Sequence, residues 1–202
     1  VLLYALGRVA NVGALNLEAV GLELNRKGNL TVNPMYQTEL PHVYAVGDVI
    51  GAPSLASTSM EQGRLAACHA FQASNQTFPS FYPFGIYTIP EISYCGYTEQ
   101  ELQELNFRYE VGRAYFYEIA RSQIAADKMG LFKILFHADT LEILGVHVLG
   151  RGATEVIHIG QIAMSFHADV DYFIHHVFNY PTYAEGFRIA ALNGYNKIKK
   201  VR

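Results

Sequence analysis

The run LFKILFHADTLEILGVHVLG, residues 131–150, restricts the possible folds more than any other part of the sequence. The side chains of its first half alternate between two faces, with Leu131, Lys133 and Leu135 on one and the apolar Phe132, Ile134 and Phe136 on the other. A period of two is typical of a β-strand, and HADT has the polar composition of a turn into a second extended run. The sequence therefore predicts a hairpin of strands 130–137 and 141–149, which places them in an antiparallel sheet.

The segments around this hairpin predict an α+β arrangement for residues 80–202. IYTIPEISYCGYTEQELQEL indicates a strand, a turn at Pro90, a second short strand and a helix with Thr98 as its N-cap. A further strand is predicted over 108–117. Helical patterns cover 153–167, 170–176 and 182–197. An antiparallel sheet with helices packed on it buries the apolar faces of both kinds of element.

The first part of the sequence predicts an α/β unit. The predicted elements are a strand over 1–6, a short amphipathic piece over 15–20, strands within 26–33 and over 43–48, and a helix over 54–73 with Ser54 as N-cap. The helix places Leu55, Met60, Ala67 and Phe71 on one side, and its Gly63 indicates either a close approach or a packing requirement. The segment 73–85 is rich in serine, proline and asparagine, which predicts a domain boundary there.

Composition excludes several classes of protein. The 202 residues carry a formal net charge of −3, which gives no basic field for nucleic acid or an anionic membrane. No apolar run reaches the roughly 18 residues needed to cross a bilayer. Cys68 and Cys95 lie far apart and form no C-x-x-C pair, so we expect two packed thiols and a reducing, cytoplasmic compartment. The sequence opens with the apolar run VLLYAL, without methionine or a signal peptide, so we expect a fragment cut inside a sheet.

VYAVGD, residues 43–48, is the run most indicative of a ligand site. A strand that ends at Gly47 places Asp48 at the carboxyl edge of the sheet, where open α/β sheets bind ligands. The carboxylate can accept hydrogen bonds from a polyol, and the helix that follows directs unpaired N–H groups to the same place. From the residues alone, a plain turn in which Asp48 caps a neighbouring group is an equally good interpretation.

Four runs together resemble the pyridine nucleotide–disulfide oxidoreductases, flavoproteins with two dinucleotide-binding domains. TELPHVYAVGD resembles the second flavin-binding motif of the family, ALGRVAN the segment that closes its NAD(P) domain, and GIYTIPEISYCGYTEQEL and FNYPTYAEGFRIAALNG the entry and end of its dimerisation domain. In ALGRVAN, Ala10 stands where the family usually has proline. The resemblance covers essentially the whole chain in the family's order.

The resemblance implies a division of the chain and a set of cofactor residues. Residues 1–40 end the NAD(P) domain and return to the FAD domain, 41–76 complete the FAD domain, and 80–202 form the dimerisation domain. Asp48 after Gly47 would hold the ribityl chain of FAD. The helix entry, formed by Ser54, Leu55 and Ala56, would point at the pyrimidine end of the flavin. The glycine-rich loops for FAD and NAD(P), and any redox cysteine pair, would precede Val1.

Within the family, five runs resemble a branch that transfers hydride between NADPH and NAD through bound FAD. The runs are VNPMYQTELPHVYAVGDVIGAPSLAS, GIYTIPEIS, LFKILFHADTLEILGVHVLG, EVIHIGQ and FNYPTYAEGFRIAALNGYN. The implied cofactors are FAD, NAD and NADP, and the implied partner is a second copy of the chain, joined through 153–197. Two alternatives stay open: a disulfide reductase like dihydrolipoyl dehydrogenase, and a non-catalytic dimerisation module. We expect the 202 residues alone to be inactive.

The run HVFNYPTYAEGF, residues 176–187, departs from the family where its disulfide reductases read His-x-His-Pro-Thr-x-x-Glu. Tyr180 stands at the position of the second histidine, which is the acid–base residue of those enzymes, and Glu185 stands at the position of its orienting carboxylate. A phenol with a pKa of about 10 is a poor base near neutrality. Because hydride exchange needs no proton delivery to sulfur, this change is compatible with the implied reaction. We expect a cis Tyr180–Pro181 bond and a helix that starts at Thr182.

Three further groups of residues allow two interpretations each. EVIH (155–158) with His167, His175 and His176 lacks the additional ligands of a metal site, so we expect surface or interface histidines and no metal. Arg121, just before the run IAADKMG, and Lys128, within it, either meet an anion or belong to a solvated turn. The aromatic residues of 78–87 either pack between domains or cover part of the flavin pocket.

Overall fold

The computed structural model describes residues 1–73 and 76–201, the last three of them by their backbone alone. The chain divides into two compact units, Val1–Pro79 and Ser80–Arg202. The division falls within the serine-, proline- and asparagine-rich segment 73–85.

Unit 1 is built from short elements around one helix. Two 3₁₀ helices cover Leu17–Val20 and Gly47–Ile50, and helix α1 covers Ala56–Ala70. Isolated bridges join Leu24 to Leu30 and Gln37 to Tyr44. Two small apolar clusters hold the unit together, one around Leu22, Leu30 and Ala45 and the other around Tyr36, Leu65 and Ala66.

Several local predictions for unit 1 are wrong. Residues 1–6 form no strand, and their apolar side chains are exposed, from 77% at Tyr4 upwards. An apolar run pairs only where a neighbouring strand offers its hydrogen bonds, and the described part of unit 1 contains none. Of the strand predicted over 43–48, only an isolated bridge at Tyr44 forms.

Helix α1 also differs from its prediction. It begins at Ala56, and its N-cap is Leu55, not Ser54. The helix buries Thr58, Gln62, Leu65 and Ala66, whereas Met60 and Phe71 are exposed. Nothing lies within 4 Å of the position that a Cβ on Gly63 would take, so no close approach within unit 1 requires this glycine.

Unit 2 contains a five-stranded antiparallel sheet. Its strands are β1 (Phe84–Ile86), β2 (Ile92–Gly96), β3 (Tyr109–Tyr115), β4 (Leu131–His137) and β5 (Ile143–Leu149). Their order across the sheet is β1-β2-β5-β4-β3, and every pair is antiparallel. The predicted hairpin is confirmed as β4 and β5, in which Ile134 pairs with Val146.

Most of the helices that cover this sheet were predicted, but the short helix over 120–124 was not. The helices are α2 (Glu99–Glu104), α3 (Ala120–Ile124), α4 (Ala153–Ser165), α5 (Val170–His175) and α6 (Glu185–Val201). Phe132, Ile134 and Phe136 point into the main core with residues of α4, α5 and α6, and all three are fully buried. On the opposite face, Leu135 is buried beneath Leu102 of α2. The α+β prediction for this part of the chain is confirmed.

The ends of two helices show how local chemistry sets their limits. Thr98 is the N-cap of α2, as predicted, and it forms a capping box with Glu101. Helix α6 begins at Glu185 and not at Thr182, because Thr182 belongs to the preceding turn. The carboxylate of Glu185 accepts a 3.4 Å hydrogen bond from the Thr182 amide, so the glutamate reaches back across the three residues that were predicted to be helical.

Candidate cofactor site

Gly47 fixes the backbone from which Asp48 projects. Its φ of +79° lies in the region that favours glycine. A Cβ there would stand 3.1 Å from Oγ of Ser59, so the backbone approaches α1 closely. The Gly47 amide donates a 2.7 Å hydrogen bond to Oε1 of Gln62, which is buried on α1. Asp48 is thereby held in a fixed position next to the first half of the helix.

The carboxylate of Asp48 is only partly engaged. Nη1 of Arg8 lies 2.6 Å from Oδ2 of Asp48, and the same nitrogen donates to the carbonyl of Ser54 at 3.1 Å. The Asp48 side chain is 46% exposed. Within the described residues Oδ1 accepts no hydrogen bond, so it remains available to a hydroxyl donor. Arg8 thus joins the ALGR segment, Asp48 and the entry to α1.

The N-terminus of α1 keeps its first N–H groups open. Leu55 has no side chain that can cap them. The Ser54 hydroxyl, predicted to do so, instead donates to the carbonyl of Gly51 at 3.2 Å. Thr58 also turns its hydroxyl back, to the carbonyls of Pro53 and Leu55 at 3.0 and 2.9 Å. An uncapped N-terminus with a positive dipole end stabilises electron-rich groups.

A cavity of about 840 Å³ brings several of these groups together. Arg8, Lys27, Asn29, Asp48 and Ser54 line it. A free carboxylate oxygen suits a polyol, and the cationic side chains suit an electron-rich or anionic group. The residues present therefore fit the ribityl chain of a flavin. Leu55 and Ala56 complete the predicted set at the start of α1.

The turn before α6 carries the remaining two predicted residues. Tyr180 is 74% exposed, and the predicted cis bond to Pro181 is confirmed. The Thr182 hydroxyl donates to the carbonyl of Asn179 at 2.7 Å. Because Glu185 receives the Thr182 amide, its carboxylate stabilises the turn itself, and no imidazole of the described residues bonds to it.

Sequence analysis missed the residue that ties this turn to the rest of unit 2. The phenol of Tyr183 donates a short hydrogen bond to Asp127, which precedes β4, and its ring packs 5.5 Å from that of Phe116. Burial, reinforced by the neighbouring Asp127 carboxylate, raises the pKa of Tyr183. Tyr183 and Asp127 are 56 positions apart. No local pattern could have identified the pair.

The described part of the chain contains neither a metal site nor a membrane-spanning helix. Between its first residue and 198, apart from 74 and 75, no three His, Cys, Asp or Glu side chains lie close enough to hold a metal ion. The histidines near EVIH make separate contacts: His158 with Gln161 at 2.8 Å and His167 with Glu142 at 3.0 Å. Among the described helices, none has the length and apolar character needed to span a membrane.

Comparison with known families explains both units. The family described as pyridine nucleotide-disulphide oxidoreductase matches residues 1–63, and the dimerisation domain of the same family matches residues 82–191. The chain belongs to the pyridine nucleotide-disulphide oxidoreductase family. The predicted fold class, the end of a dinucleotide-binding flavoprotein core followed by an antiparallel-sheet dimerisation domain, is confirmed.

Relatives with curated names are similar over nearly the entire chain. The soluble pyridine nucleotide transhydrogenases of Serratia proteamaculans and Salmonella typhi are each 54% identical to it over 98% of its length. The chain spans 43% of the length of these relatives.

Solved structures resemble the chain in fold. LpdA from Mycobacterium tuberculosis is 26% identical with a TM-score of 0.81, over 91% of this chain and 40% of that one. The HOCl-induced flavoprotein disulfide reductase RclA from Escherichia coli is 21% identical with a TM-score of 0.85, over 92% and 43%. At this identity, the RclA match supports the fold alone.

Proposed function

We propose that the protein transfers hydride reversibly between NADPH and NAD, with FAD as the bound cofactor and with Si-face stereochemistry. NADPH and NAD⁺ give NADP⁺ and NADH, so the net reaction consumes no proton. Support comes from the 54% identity to relatives named soluble pyridine nucleotide transhydrogenase. Such an activity would balance the two nicotinamide pools of the cytoplasm.

FAD would be held in this chain by the residues around Asp48. Oδ1 of Asp48 would accept a hydrogen bond from a ribityl hydroxyl, while Arg8 engages the other oxygen of the carboxylate. The open N–H groups at Ala56 and the two residues after it would stabilise the electron-rich end of the ring. When bound, the flavin supplies the group that accepts and returns hydride. Gly47, Ser54 and Leu55 shape the site without contributing a charged group.

The observation that favours transhydrogenation over disulfide reduction is the turn at Tyr180. Disulfide reductases of the family use an imidazole and a carboxylate at the positions of Tyr180 and Glu185. Here the phenol is exposed, and the Glu185 carboxylate is committed to the Thr182 amide. Neither group is arranged to move a proton to sulfur at neutral pH.

Self-association is the second part of the proposal. The family match to a dimerisation domain over 82–191 supports a homodimer or higher homo-oligomer. We place the interface on the helical layer of 153–197. Its exposed apolar side chains include Ile162, at 58% exposure, and Phe166, at 80%. Aromatic and aliphatic anchors of this kind are enriched in subunit interfaces.

The test is an assay of the natural full-length protein for NADPH-dependent reduction of thio-NAD, beside lipoamide and glutathione disulfide. We expect thio-NAD reduction and no disulfide reduction. The Tyr180→Phe variant should stay within a few-fold of the natural protein, because no proton passes through the phenol. Efficient reduction of either disulfide, or a thousand-fold loss in the variant, would favour the dihydrolipoyl dehydrogenase-like alternative. Absence of flavin and of all three activities would favour a dimerisation module.

A further inference from the structure

Unit 2 contains a second cavity, of about 470 Å³, which the proposed function does not use. It lies between the turn that joins β1 to β2, the loop that precedes β4, and Arg151 at the start of α4. Lys128, one of the two cations that the sequence analysis left open between an anion site and a solvated turn, lines it. The charge state of its walls decides which ligand it accepts.

The two carboxylates that line the cavity, Glu91 and Asp127, already accept hydrogen bonds from neighbouring groups of the protein. Glu91 accepts from the Thr154 hydroxyl at 2.7 Å, from the Thr154 amide at 3.2 Å and from the Gly152 amide at 3.4 Å. It therefore serves the N-terminus of α4, and the hydrogen bond from Thr154 lowers its pKa. Asp127 accepts from the Tyr183 phenol and is only 16% exposed. Neither carboxylate is directed at a ligand.

The two cations of the cavity are, by contrast, mostly free. Lys128 makes no hydrogen bond or ion pair with any residue that the structure describes, and its side chain is exposed. Arg151 is 69% exposed and meets Asp127 only through Nε, at 3.5 Å. Its Nη1 and Nη2 groups therefore remain available as a fork, the geometry that binds carboxylate or phosphate through two parallel hydrogen bonds.

The rest of the cavity wall is apolar. Ile89 is fully exposed at its rim, Met129 is 70% exposed, and Pro90 lies beside them. Exposed apolar side chains next to free cations match a ligand with an apolar body and an anionic end, because a bare inorganic anion gains nothing from the apolar wall.

We propose that this cavity binds a small organic oxyanion, a carboxylate or phosphate carried on an apolar or aromatic body. The guanidinium of Arg151 and the ammonium of Lys128 hold the anionic group, and Ile89, Pro90 and Met129 contact the body. Benzoate and adenosine monophosphate present the two anionic groups on a planar body, whereas inorganic phosphate presents the anion alone.

The test measures binding of these three probes to the full chain by NMR chemical-shift titration, without pyridine nucleotides, so that its result does not depend on the proposed function. At least one of the two organic probes should bind ten-fold or more tightly than phosphate. Tighter binding of benzoate would identify a carboxylate as the preferred anionic group, and tighter binding of adenosine monophosphate would identify a phosphate. The double variant Lys128→Gln, Arg151→Gln should weaken that binding at least ten-fold.

Arg108→Gln is the matched control. Arg108 is an exposed cation that does not line the cavity, and its Nη1 lies 2.8 Å from Oδ2 of Asp139. Its replacement should leave binding of the probes unchanged. The single variant Lys128→Gln removes a side chain without partners and serves if the double variant does not fold. Unchanged binding in the Lys128 variants, phosphate binding as tight as that of the organic probes, or no saturable shift with any probe would overturn the proposal.

Discussion

Acidification from pH 8 to pH 4.5 should destabilise unit 2 through one histidine, His147 on β5. Its Nε2 lies 3.0 Å from the Tyr97 carbonyl, so this nitrogen carries the proton of a neutral ring. The ring stacks on Tyr94 with centroids 5.7 Å apart. Burial, with the neighbouring Lys133 ammonium as a second cause, lowers the pKa of His147 from 6.5 to about 4, although Glu99 and Glu101 oppose the shift.

The sign follows from comparing the folded and unfolded chains. Above pH 6.5 the ring is neutral in both, and the folded state keeps its full stability. As the pH falls from 6.5 towards 4, the unfolded chain takes up a proton that the folded chain does not, so unfolding becomes more favourable. With a pKa near 4 in the folded state, the loss at pH 4.5 amounts to about 2–3 kcal/mol.

Urea unfolding at pH 8 and pH 4.5 measures this loss. The His147→Gln variant should show a difference between the two pH values smaller by about 2–3 kcal/mol than the natural chain. His158→Gln, which changes an exposed histidine of α4, is the control and should retain the full difference. Glu99 and Glu101 also have lowered pKa values, and His147 is the smallest cause of the Glu101 shift, so their contribution is nearly the same in all three proteins. An equal loss in His147→Gln and the natural chain would refute the reasoning.

Three further changes have expected outcomes. Asp48→Ala should weaken FAD retention roughly ten- to hundred-fold, because it removes a charge-assisted hydrogen bond of about 1.5–3 kcal/mol. The measurement is the flavin content of the full-length protein after dialysis, and unchanged content would contradict the assignment. Gly112→Ala should lower the free energy of unfolding by more than about 2 kcal/mol, since its Cβ would lie 2.0 Å from the Ala190 carbonyl, and a normal urea midpoint would contradict that packing. Thr98→Ala should cost about 1 kcal/mol through loss of the α2 cap, with Thr140→Ala as the surface control.

Local chemistry was sufficient to predict much of unit 2. The alternation around Phe132 and Ile134 predicts the hairpin and separates its two faces, because successive side chains of a strand point to opposite sides. Thr98 predicts the start of α2, and an aromatic residue before Pro181 predicts the cis isomer of the Tyr180–Pro181 bond. Each of these features depends on residues a few positions apart. The candidate residues around Asp48 were likewise identified from one contiguous run, through its resemblance to a family motif.

Predictions failed where the outcome depends on which hydrogen-bond partner a group meets in the folded chain. The apolar run at Val1 forms no strand, because a strand needs hydrogen bonds from a partner that the described chain does not provide. Ser54 turns away from α1 because the carbonyl of Gly51 competes for its hydroxyl. Glu185 delays the start of α6 by accepting the Thr182 amide.

By itself, the sequence determined most elements of unit 2, the order of its strands along the chain and the family to which the chain belongs. Tertiary structure alone decided which side chains meet. Arg8 reaches Asp48 across 40 positions, and Tyr183 reaches Asp127 across 56. Burial accounts for the Tyr183–Asp127 pair, because a donor or acceptor removed from water needs a partner wherever the folded chain brings one. The Arg8–Asp48 pair is largely exposed and forms because folding brings two distant segments together. Periodicity and composition carry no record of that placement.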